Sequence, residues 1–364
     1  MFIHKRRLIK QFYILFLAVL FGVSCNVVKS EQKAPTLLGT VAATQDELMA
    51  EVNRFARVGS MRAKMNLKFE DNSFAQFGSK EVYRSADGDV VVQRPASIFL
   101  KVQVPVLKTD VAQMTSDGEK FRVAILQSGS CADCKKFVIG TNQADYSALQ
   151  KELKTGDDII KGKEKQNVNA FANLRPQHFT DALLVRPTTT DNLYTVSTIY
   201  QTEEDEKEPT KSPLRKVTRG YYLLDEFVKN ESGGMMIVRR FWFDRNVKIR
   251  LARQQLFDAK GEIESDITYG IEGKLTEASG YERLPLQILV TRPQEKYSMK
   301  LTYQSPESVK IGSSYPAEAF VLENSWDLEV LDLDKKLSEV SAQQLLIKPS
   351  DKPIPTGASK FQQR

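Results

Sequence analysis

Cys131-Ala132-Asp133-Cys134 is where reactive side chains stand at a chemically meaningful spacing. A C-x-x-C pair has three uses: a redox couple, half of a zinc site, or a structural disulfide. A redox couple belongs at a helix N-terminus in a βαβ setting. Here the pair lies between an apolar segment ending at Gln127 and another over 136–139, so it reads as the tip of a hairpin. Zinc needs further ligands, and the chain has three Cys and two His. Cys25 and His4 belong to the N-terminal segment, which leaves His178 alone. In an oxidising compartment the pair is expected to form a structural disulfide between Cys131 and Cys134. Closing so small a loop contributes about 2 kcal/mol on the chain-entropy relation.

The remaining candidates are weaker. There is no G-x-S-x-G elbow and no phosphate-binding loop, and one His cannot be tied to a nucleophile by spacing. Glu262, Glu264 and Asp266 alternate with apolar residues, which puts them on the wet face of a strand. The acid-rich run from Thr202 to Pro213 reads as a solvated loop. His178 reads as a surface or cap residue on a helix. These readings together predict a protein that is not an enzyme and needs neither metal nor cofactor.

The N-terminus carries an address. Lys5, Arg6, Arg7 and Lys10 precede the apolar run Ile14–Phe21, which ends in Gly22, Val23, Ser24 and Cys25. The run is short for a transmembrane helix and suits the core of a secretory signal peptide. Removing it takes the net charge of the 364-residue chain from +6 to +2. The basic balance is therefore no argument for nucleic acid. A Cys after small residues resembles the lipobox of bacterial lipoproteins, which implies acylation at Cys25. Gly22 departs from the large aliphatic usual three residues before that Cys, so plain cleavage and an uncleaved anchor stay open. Asn26, where an inner-membrane lipoprotein often has Asp, leans toward the outer membrane. The expected organisation is signal peptide 1–24, tether 25–43, one folded domain 44–334 and a disordered tail 335–364.

The folded part reads as strands with few helices. Thr44-Gln45-Asp46-Glu47 matches a capping box, and Leu48, Val52 and Phe55 follow at helical spacing, which predicts a helix over 45–57. Met61, Ala63, Met65, Leu67 and Phe69 then alternate with polar residues as one face of a strand. Further strands are expected at 90–93, 98–104, 110–115 and 120–127, with hairpin turns at Asp87-Gly88 and Asp117-Gly118. Tyr146, Leu149 and Leu153 suggest a helical face stopped by Gly156, and Pro176 opens a helix bearing Phe179, Leu183 and Leu184. Strands resume at 194–200, 220–228, 235–243 and 247–257, and alternating apolar residues continue to Tyr303. Strand following strand without helices excludes a parallel βαβ sheet. The expected fold class is mainly β (α+β), a large antiparallel sheet forming a barrel or open half-barrel.

Gly88-Asp89, three valines, Gln93, Arg94-Pro95 and Phe99 are similar to the G-D…R-P…F stretch of the LolA/LolB lipoprotein carriers. Ser116-Asp117-Gly118 resembles the next hairpin of that family. The resemblance covers about residues 44–130. It implies an unclosed barrel whose apolar cavity, lidded by helices, accepts lipid. It also implies that Arg94 hydrogen-bonds the lid, and it makes Phe99, Met65 and Leu67 lid or ligand-binding residues. The chain is longer than those carriers and adds the C-x-x-C pair and the acidic run. The expected role is a membrane-anchored periplasmic binder of a lipid or lipoprotein acyl chain. The alternative is an envelope assembly lipoprotein that uses its sheet as a docking surface.

Overall fold

The computed structural model describes residues 34–71, 81–82, 85–127, 135–144, 146, 149, 175–205, 208–212 and 214–347. Two compact units divide these residues. The reading of 44–334 as one domain takes in residues of both. The smaller comprises the described residues of 34–38 and 202–218. In it β1 (Thr36–Leu37) runs parallel to Val217 and Thr218. Arg215 closes its acidic loop by pairing with Glu204 at 2.9 Å and donating to the Glu208 carbonyl at 2.8 Å.

The larger unit is built on a sheet of mainly antiparallel strands. They are β2 (Ser60–Asp71), β3 (Glu81–Val82), β4 (Ala86–Gln93), β5 (Ser97–Gln103), β6 (Asp110–Ser116), β7 (Lys120–Ile125) and β8 (Phe137–Thr141) in its first half. The second half supplies the parts of β9 (Leu193–Glu204) and β10 (Lys216–Lys229) that lie outside 202–218, with β11 (Met235–Asp244), β12 (Arg250–Phe257) and β13 (Ile263–Tyr269). It continues with β16 (Gln287–Arg292), β17 (Tyr297–Tyr303), β18 (Lys310–Ile311) and β19 (Val330–Asp332), while β14 (Glu272–Gly273) and β15 (Leu284–Pro285) pair as a separate two-stranded sheet. Antiparallel neighbours run β10, β11, β12, β13, β16, β17, β2, β4, β5, β6, β7, β8. The sheet is not closed into a barrel.

The two halves meet where β17 pairs with β2, placing Leu301 opposite Leu67 and Met299 opposite Phe69. Alternation carries one apolar face across the join. Met61, Ala63, Met65 and Leu67 of β2 share a core with Ile98 and Leu100 of β5, Phe241 and Phe243 of β11, and Ile288 and Val290 of β16.

Two helices pack on this face. Helix α1 (Gln45–Ala56) starts from the expected capping box: Thr44 accepts from the Glu47 amide, and Glu47 accepts from the Thr44 amide at 2.7 Å. It buries Leu48, Glu51, Val52 and Phe55. Helix α2 (Pro176–Leu183) has Pro in its first turn, where no intrahelical donor is lost.

Four expectations change. Asp87-Gly88 is not a turn but lies inside β4, paired with Asn66 and Met65. A Cβ on Gly88 would stand 2.8 Å from Leu67 Cδ1, so the glycine there makes room for close packing of the Leu67 side chain and does not serve a turn. Asp117-Gly118 is a turn, with Gly118 at φ 103°. His178 is buried and not a surface residue, because its eight-residue helix is packed against β5, β6 and β16 and has few outward positions. Residues 335–347, expected to belong to a disordered tail, are helical in α3 (Leu333–Ile347). Leu333, Leu337 and Val340 form its apolar stripe at i, i+4 and i+7. The apolar run Leu284–Val290 divides between β15, which pairs with β14, and β16. The expected helix near Tyr146–Gly156 lies mostly outside the described residues.

Candidate functional site

Arg94 follows the last residue of β4, and its own amide donates to the Gly59 carbonyl at 2.9 Å. This places its guanidinium at the ends of both helices. Nη2 donates to the Ala56 carbonyl, the last residue of α1, at 3.1 Å, and to the Val185 carbonyl beyond α2 at 2.6 Å. A helix C-terminus leaves carbonyls without intrahelical partners, and a cation there is favourable. Burial, then the neighbouring Arg239, lowers the Arg94 pKa from its ordinary value.

A second arginine holds the next two carbonyls. Arg239 donates to Arg186 O at 2.8 Å and to Pro187 O at 3.0 Å, and its Nε bonds the Glu226 carboxylate. Glu226 also accepts from Asn192 at 2.6 Å and from the Tyr194 hydroxyl at 2.9 Å. Burial works to raise this carboxyl, but the Arg239 charge and hydrogen bond, with Asn192 and Tyr194, hold it below its usual range. Asn53 of α1 completes the clasp. Its amide donates to Thr188 Oγ1 at 2.9 Å and its Oδ1 accepts from the Thr188 amide at 3.0 Å. Residues 185–188 are thus tied to α1 and to the sheet by three side chains.

These helices fill the apolar face beneath them. Among the described residues, a cavity between Phe55, Met61, Leu183, Tyr269, Ile288 and Tyr303 is about 20 Å3, room for about one water. On α2, His178 Nδ1 hydrogen-bonds the Tyr297 hydroxyl. Burial, then Arg292 and Arg175, push the imidazole well below its usual pKa, so it is neutral. Burial pushes the Asp181 carboxyl up to about 6.

Of the sequence-predicted site residues, Met65 and Leu67 lie on the inner apolar face with the helices. Arg94 stands at the rim. Phe99 lies apart from them, because Ile98 and Leu100 of its strand face the core and alternation turns Phe99 to the other side. Cys25, Cys131 and Cys134 lie outside the described residues. Arg239, Glu226 and Asn53 were not foreseen. One signal for Arg239 is in the sequence: it shares the parity of Phe241 and Phe243, so it is a charge in an inward register.

No protein-family model matches the chain, and no curated protein does. Solved structures do. A LolA superfamily protein from Nitrosomonas europaea is 10% identical, with a TM-score of 0.39 over 77% of this chain and 99% of that one. A DUF1329 family protein from Desulfovibrio piger is 10% identical, with a TM-score of 0.36 over 77% and 96%. An outer-membrane lipoprotein-sorting protein domain from Vibrio parahaemolyticus is 10% identical, with a TM-score of 0.34 over 75% and 94%. The first bears the superfamily name that the Gly88–Phe99 stretch resembles. At such scores these likenesses carry no argument, and the residues themselves carry the reading that follows.

Proposed function

We propose that this protein is a non-enzymatic binder of lipid or lipoprotein acyl chains in a bacterial envelope, anchored to the outer membrane through Cys25. The carrying observation is Arg94, which holds the ends of α1 and α2 together over an apolar sheet face. A side chain spanning both helix ends couples their release. Ligand pockets need about 300–1,000 Å3, far more than the cavity beneath Phe55 and Leu183. An acyl chain therefore enters by displacing α1 and α2 from the sheet. Each methylene buried returns about 0.8 kcal/mol, so ten methylenes offset considerable rearrangement.

Lipid extraction and native mass spectrometry of the purified protein test this reading, together with titration of a fluorescent fatty acid. Bound lipid or saturable binding supports it, and absence of both removes it. Cys25→Ala is expected to release the protein into the soluble periplasmic fraction. A variant that still pellets with membranes, beside a wild type carrying no lipid mass, refutes the anchor.

A second reading, an assembly lipoprotein with a filled core, is favoured by β9. Val196, Ile199 and Tyr200 of that strand are 37%, 37% and 53% exposed. Failure to bind any lipid would favour it.

A further inference from the structure

Three buried polar side chains stand on the apolar inner face of two neighbouring strands. Ser265, Ile267 and Tyr269 alternate on one face of β13, and Ile267 and Tyr269 belong to the core. Gln254 of β12 lies directly opposite Ile267, with buried Phe241 of β11 on its other side. Gln254 is therefore the diagonal neighbour of both Ser265 and Tyr269. Gln254, Ser265 and Tyr269 are 2%, 0% and 2% exposed. Gln254 Oε1, Ser265 Oγ and the Tyr269 hydroxyl have no hydrogen-bond partner among the described residues.

Unpaired polar groups in an apolar wall are costly. Three on one patch, one of them lining the cavity beneath Phe55 and Leu183, match something that binds there. We propose that Gln254, Ser265 and Tyr269 form a hydrogen-bonding subsite for the neutral, oxygen-rich head of an acyl lipid. The matching group is an ester carbonyl with adjacent hydroxyls, as in an acylglycerol. The proposal rests on the acyl-binding reading above and adds the chemistry of the head.

The chemistry of the three groups selects that class. Two hydroxyls donate or accept, and an amide oxygen accepts. They suit a ligand with both acceptors and donors. None carries charge. Asp181 of α2 acts electrostatically on Tyr269, so an ionised fatty acid would meet a carboxyl group there. Arg239, on the same sheet face, is already engaged by Glu226 and two carbonyls. Gln254, between Phe241 and Ile267, also gives the polar group an apolar flank on either side for the chain.

The test compares purified wild type with Tyr269→Phe, Ser265→Ala and Gln254→Leu. The ligands are monodecanoylglycerol, decanoic acid at alkaline pH and a pyrene-labelled alkane. Each variant is expected to bind monodecanoylglycerol about fivefold more weakly, the effect of one neutral hydrogen bond, and to keep its alkane affinity. Wild type should bind the glyceride more tightly than decanoate. The infrared carbonyl band of the bound ester should shift to lower frequency in wild type and less in Tyr269→Phe. Unchanged glyceride affinity in all three folded variants overturns the subsite and leaves these groups to water. Parallel loss of glyceride and alkane binding overturns it too, as a packing defect. Wild type that binds alkane with no preference for the glyceride overturns the subsite alone. Wild type that binds none of the three ligands overturns the acyl-binding reading with it.

Discussion

Arg94→Leu should open the helices and leave the sheet intact. The side chain makes two bonds, at 3.1 and 2.6 Å, to the Ala56 and Val185 carbonyls. A hydrogen bond from a charged group contributes about 1.5–3 kcal/mol. Both carbonyls lie at or just past helix ends that water reaches once the helices lift, so the net loss is nearer the value for one bond than for two. About 1.5–2 kcal/mol corresponds to a ten- to thirtyfold larger open population. Apparent affinity of a ligand that needs the open state scales with that population. Arg94→Leu is therefore expected to bind a fluorescent fatty acid about tenfold more tightly and to load it faster. Its release should be slower, because the closed state no longer competes as strongly. Arg94→Lys keeps the charge without the planar fork and should fall between the two. Stopped-flow fluorescence with equilibrium titration reads both quantities, and circular dichroism verifies the fold. Affinity and release equal to wild type in a folded Arg94→Leu variant would refute the latch and leave Arg94 as a stability residue.

Three further perturbations separate the neighbouring groups. Glu226→Gln should cost about 3–5 kcal/mol in chemical denaturation, because Arg239 and Glu226 are 4% and 2% exposed at the side chain and the arginine would be left buried without its counter-charge; a Glu226→Leu/Arg239→Met double variant should cost less than the sum of the singles. Asp181 binds its proton more tightly in the fold, near pH 6 against 3.8 unfolded, so its contribution to stability falls as pH rises through that window. Asp181→Asn should lie close to wild type near pH 4 and exceed it by about 3 kcal/mol above pH 6.5, and a variant no more stable than wild type at either pH would refute the burial of that carboxyl. Alkylation of unreduced, denatured protein should label neither Cys131 nor Cys134, and free thiols in freshly isolated periplasmic protein would refute the disulfide.

The part of the site that was legible is the part written in short motifs. Arg94 stood out because Arg-Pro at a strand end follows a distinctive Gly-Asp-valine run. The same motif placed Phe99 with the ligand residues, yet a motif fixes position along a strand and not which way the strand faces. Asn53 and Glu226 were illegible, since an Asn on a helix and a Glu in a strand are ordinary until their partners are known. The Gln254, Ser265 and Tyr269 patch spans two strands, and none of its members is unusual alone.

Local pattern by itself determined the helix at 45–56, through its capping box, the helix opened by Pro176, and the two-residue alternation that gives each strand an inner and an outer face. Those features depend on contacts within one or two turns or along one strand, so nearby residues suffice to specify them. Only the tertiary structure decided that β2 joins both halves of the sheet, since any apolar-faced strand could have met it. It also decided that Gly88 is a packing contact and not a turn, and that His178 is buried and neutral. Most clearly, it decided that one guanidinium spans carbonyls 38 and 91 residues away. Such pairings are set by strand register and helix docking, which follow from the summed burial of the whole face and leave no mark in the local sequence.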